Sequence, residues 1–97
     1  MYARVTTVQY QPGKADEATQ IFRESIVPAA KQQPGFKDII GLIDRSTGKG
    51  MAIALWETEA DMKAGATSGF LQTQLNKIAS LLAAAPVIET YEVIAQE

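Results

Sequence analysis

The segment Gly50-Met51-Ala52-Ile53-Ala54-Leu55-Trp56 constrains the fold of this chain more than any other. It reads as a β-strand, in which successive side chains point to opposite faces. Met51, Ile53 and Leu55 then share one face, and Ala52, Ala54 and Trp56 share the other. Both faces are apolar. One layer of helices covers only one face of a sheet, and a solvated second face alternates with polar residues. Tyr2 to Tyr10 reads as another strand, in which Ala3, Val5 and Thr7 are likewise uncharged opposite Arg4, Thr6, Val8 and Tyr10. The pattern predicts a sheet with helices on one side and an apolar, partner-seeking surface on the other.

The segments around these strands supply the rest of the architecture. Gln11-Pro12-Gly13-Lys14 is a turn. From Ala15 to about Gln32, Ala15, Ala18, Phe22, Ile26 and Ala29 recur at helical spacing. Pro28 removes a backbone donor and crowds the preceding turn, so a kink or an early end is expected there. Phe36 to Asp44 reads as a second strand, in which Gly41 suggests a bulge or a close approach. Arg-Ser-Thr-Gly-Lys at 45–49 turns it into the third strand. Thr58 with Asp61 resembles a capping box and starts a second helical region. Phe70 to Ala84 reads as a longer helix stopped by Pro86, and Val87 to Ala95 as the last strand. The order is β-α-β-β-α-β, so the expected fold is α+β and ferredoxin-like, with an antiparallel sheet and both helical layers on one face. With 97 residues, it is expected to be a single domain over 1–97.

A symmetric homodimer formed through Val5, Met51, Ile53 and Leu55 satisfies the second face. No apolar run approaches the roughly 20 residues that span a bilayer, and no basic amphipathic helix is visible, so no membrane role is expected. A net charge of −2 without a Lys/Arg cluster argues against nucleic acid as a partner. The start alternates like a strand and does not resemble a signal peptide, which points to the cytoplasm.

The chain has no Cys and no His. That removes thiol nucleophiles, Cys/His zinc sites, Ser-His-Asp catalysis and a proximal haem histidine. Acid–base work would fall to Asp, Glu, Lys, Tyr or water. Glu57, Glu59 and Asp61 sit where a helix dipole favours negative charge, and read as capping rather than as a metal site. The candidate pocket lies on the helix side of the sheet, around Trp56, Arg4, Thr6, Tyr10, Ala52 and Ala54, with Phe22 from the first helix and Tyr91 from the last strand. Two arrangements fit Trp56. A large residue beside two alanines can leave a hollow that binds a ligand, or the alanines let a helix pack close and Trp56 fills the core. Arg4 is expected at the sheet rim in water; a buried Arg4 needs a partner, for which Glu89 and Glu92 are candidates. Tyr91 can donate into a pocket or simply pack.

Several motifs converge on one resemblance. They are Gln11-Pro12-Gly13-Lys14, Gln33-Pro34-Gly35-Phe36, Trp56-Glu57-Thr58 with Asp61, Ser68-Gly69-Phe70 and Tyr91-Glu92-Val93. Over nearly its whole length the chain resembles the antibiotic biosynthesis monooxygenase-like family of dimeric α/β barrels. The resemblance implies a cofactor-independent monooxygenase acting on a small aromatic or quinol, with Trp56 lining the cavity. The alternative is a non-catalytic module that binds a small ligand or serves to dimerise. Members acting on polyketides carry Asn where this chain has Ala52. Haem-degrading members carry Asn near the position of Thr6 and use a His, which this chain lacks.

Overall fold

The computed structural model describes residues 1–97. Four strands form one antiparallel sheet: β1 (Tyr2–Gln9), β2 (Phe36–Asp44), β3 (Lys49–Trp56) and β4 (Val87–Glu92). Their order is β2-β3-β1-β4, so the two strands singled out by their patterning lie at the centre. β2 and β3 form a hairpin that closes at Gly48, whose φ of 77° is reached without the clash a side chain would meet. The bulge in β2 falls between Phe36 and Asp38, not at Gly41.

The first helical layer is one rod in three parts: α1 (Ala15–Ile21), a π-helical turn (Phe22–Ile26) and α2 (Val27–Ala30). The helix continues through Pro28 and ends at Ala30, two residues short of Gln32. The turn just before Pro28 widens, and the Val27 N–H donates five residues back to the Phe22 carbonyl. A wide turn of this kind relieves the crowding that proline imposes on the preceding turn.

The second layer is α3 (Glu59–Thr67) and α4 (Phe70–Ile78). Thr58 caps α3, its Oγ1 accepting from the Asp61 N–H at 3.1 Å. The second helix is shorter than the spacing predicts. After Ile78 it tightens into a 3-10 turn over Ala79–Leu81, and Leu82 is extended. The end of β1 competes for this backbone. Gln11 N–H donates to the Leu81 carbonyl at 2.9 Å, and Ala83 N–H donates to the Gln9 carbonyl at 2.7 Å. Residues 83–85 are alanines, which bring little apolar surface to hold a further helical turn.

Cross-strand register sorts every strand residue onto a face. Arg4 pairs with Ala54, and Thr6 with Ala52. On the far side of β3, Ala54 pairs with Ile39 and Ala52 with Gly41. These residues face the helices. Ala3, Val5, Met51, Ile53 and Leu55 face the other way. No helix is long and apolar enough to cross a membrane.

Candidate functional site

Between sheet and helices lies a cavity of about 210 Å³. Its floor is made of small residues. Gly41, Ala52 and Thr6 form one row across β2, β3 and β1, and Ala54 lies in the next. A Cβ on Gly41 would stand 2.7 Å from Cε1 of Phe22, and one on Gly50 would stand 2.8 Å from Cε2 of Tyr10. Both glycines therefore let an aromatic ring lie directly on the sheet. Phe22 belongs to the π-helical turn, so the wide turn carries a wall of the cavity. Small floor residues between large walls are what leave the volume.

Trp56 and Arg4 close one end. Trp56 is only 1% exposed, stands edge-on to Phe36 and has no acceptor for its buried Nε1–H. The Arg4 guanidinium lies 5.5 Å from the centre of the Trp56 ring, within cation–π range. Arg4 is 5% exposed and donates to the backbone carbonyl of Met62 in α3. The expectation of a hydrated Arg4 at the rim is thus corrected. Its partner is also not Glu89 or Glu92. Glu89 lies across from Val5 on the opposite face, and no ion pair involves Arg4. α3 covers both side chains at Gly65, where a Cβ would come 3.3 Å from Cη2 of Trp56, a tight contact, and 3.6 Å from Nη2 of Arg4, an ordinary one.

Thr6, Tyr10, Phe22, Ala52 and Ala54 line the cavity together with Arg4 and Trp56. Tyr91 does not. It pairs with Ala3, is 51% exposed and lies on the other face of the sheet. Residues not anticipated from sequence complete the lining, chiefly Val8, Ile39, Leu71 and Gln74. Gln74 is buried, and its Oε1 accepts from Lys77 Nζ at 2.7 Å. A polar residue midway between Phe70 and Ile78, four positions from each, was the signal in the sequence. An isolated glycine within α3 was the signal for Gly65.

Arg4 and Tyr10 are the titratable side chains of the lining. Burial lowers the Arg4 pKa below the usual arginine value and raises that of Tyr10 above the usual phenol value. Neither side chain accepts a proton near neutral pH. Glu57 and Glu59 lie away from the cavity and pair with Lys37 at 2.7 Å and Lys63 at 3.4 Å.

Residues 1–74 match the family model described as Antibiotic biosynthesis monooxygenase. The chain belongs to this family. Its curated relatives include an uncharacterised Mycobacterium tuberculosis protein, 28% identical over 98% of this chain and 42% of the relative. A second uncharacterised protein of that organism is 34% identical over 66% of this chain and 27% of the relative. The chain thus spans less than half the length of these relatives. SnoaB, a cofactor-independent oxygenase from Streptomyces nogalater solved in mutant form, superposes with a TM-score of 0.80 at 16% identity, over 98% of this chain and 94% of that one. A protein of unknown function from Nitrosomonas europaea superposes at 0.79 and 20% identity, over 99% and 91%. At such identities the likeness is one of fold. It supports the ferredoxin-like antiparallel sheet of the antibiotic biosynthesis monooxygenase family and leaves the substrate to the cavity's own chemistry.

Proposed function

We propose that this chain is a cofactor-independent monooxygenase that takes a single-ring aromatic of the quinol type under Trp56. The observation that carries the reading is the cavity itself. An apolar cavity of roughly 150 Å³ is enough to bind benzene, and this one is about 210 Å³. One ring fits there. The substrate, as its anion, reduces oxygen directly. One oxygen atom remains on the ring, and the other leaves as water with two substrate hydrogens, so no external reductant is needed. Enclosure and orientation are the protein's part. Arg4 stabilises the negative charge that develops, and Tyr10 donates to a substrate oxygen. No lining side chain acts as a base near neutral pH, which places the acidity in the substrate. Oxygen consumption with a series of quinols tests the proposal. Uptake no greater than that of Trp56→Ala would refute turnover.

The same reading includes a homodimer. Val5, Met51 and Ile53 are half-buried on the face away from the helices, and Ile40, Leu42, Val87 and Tyr91 are exposed beside them. Leu55 is already buried within the chain and adds little. These apolar side chains, interrupted by Glu89 across from Val5, support a self-complementary interface.

A further inference from the structure

We propose that the cavity selects an anion: a single-ring aromatic carboxylate or phenolate whose charge sits against Arg4. This rests on the reading of the cavity as a ligand site and adds the charge of what it holds. Arginine is almost never fully buried unless paired. Arg4 is 5% exposed, yet the three ion pairs of the chain lie at the surface and none includes it.

A guanidinium carries five N–H donors. One of these bonds the Met62 carbonyl, and the Trp56 ring offers its face at 5.5 Å. Neither supplies a full negative charge. On the α3 side Gly65 brings the helix against Nη2, which closes that direction. The cavity is the side that Arg4 lines. Its lining holds no Asp or Glu, and 16 of its 21 residues are hydrophobic. A small inorganic anion would leave that apolar wall unmatched. A ring carrying one carboxylate or phenolate fills both requirements, with the charged oxygen on the guanidinium and the ring over Ala52 and Ala54. Trp56 adds a buried indole N–H that has no acceptor in the chain.

Benzoate and benzamide form a test pair, since they match in size and differ in charge at pH 7. Both are titrated into the full chain by calorimetry. Benzoate should bind about 10- to 100-fold more tightly, the range of a charge-assisted pair over a neutral one. Arg4→Met should erase that preference, bringing the two ligands to within about threefold of each other. Arg4→Lys should restore part of the preference, since it keeps charge but not the planar fork. Equal affinity of the two ligands for the unaltered chain overturns the anion assignment and leaves the aromatic site standing. Binding of neither overturns both. Because the comparison is made first on the unaltered chain, it does not depend on Arg4→Met folding.

Discussion

Replacing Ala52 with Leu separates a cavity from a packed core by the sign of its effect. Ala52 lies in the cavity floor between Gly41 and Thr6, which have little or no side chain to meet the new atoms. Leucine adds three carbons. Buried without strain, they contribute about 0.8 kcal/mol each, or up to about 2.4 kcal/mol. The same change in a filled core costs about 1–3 kcal/mol through overpacking. The added atoms occupy roughly 80 Å³ at interior packing density. They reduce the 210 Å³ cavity to about 130 Å³, less than the roughly 150 Å³ that accepts benzene. The expected outcome is therefore a stability unchanged or raised by about 1–2 kcal/mol, together with loss of benzamide and benzoate binding. Urea unfolding followed by the fluorescence of Trp56 gives the first quantity, and calorimetry the second. A loss of more than about 1 kcal/mol with ligand binding intact would refute the reasoning, because it would mean that the floor is already filled and the ligand sits elsewhere.

Other consequences are simpler to check. Thr58→Ala removes the side-chain acceptor for the Asp61 N–H and should cost about 1 kcal/mol in urea unfolding. Tyr10 has a folded pKa raised by burial, so the native state holds the phenol proton more tightly than the unfolded chain. The stability this gives is complete below the ordinary phenol pKa of about 10 and falls as pH rises through the folded value. Tyr10→Phe should show a flatter decline of stability above about pH 10 than the unaltered chain; identical alkaline slopes would contradict the burial of that hydroxyl. Ile53→Lys puts a charge at the centre of the proposed dimer face and should yield a monomer in sedimentation velocity at micromolar concentration. A parent chain already monomeric there would remove the dimer.

Much of the fold and part of the site were legible in the sequence. The alternation of β1 and β3 placed Arg4, Thr6, Ala52, Ala54 and Trp56 on one face before any contact was known, because side-chain direction in a strand is fixed by its period of two. The Gly-containing turn at 45–49 made β2 and β3 a hairpin, which set their register locally. The length of α4 was less legible. Its helical spacing continues to Leu82, but the end of β1 takes the backbone groups that a further turn would need. At Pro28 the sequence signalled a perturbation but not its form: the preceding turn widens, and composition does not reveal which response wins.

What the sequence by itself determined was the division of each central strand into two faces and the small residues that hollow out one of them. The tertiary structure decided the rest through contacts distant in the chain. Tyr91 went to the far face because the pairing of β4 with β1 joins segments about 90 residues apart, and a slip of one residue reverses every side chain. Arg4 became a buried cation because α3, distant in the chain, packs over it and offers it the Met62 carbonyl. The face of Arg4 was a local property of its strand. Its near-complete burial was a property of the packing, and that burial motivates the charge of the ligand the cavity is proposed to hold.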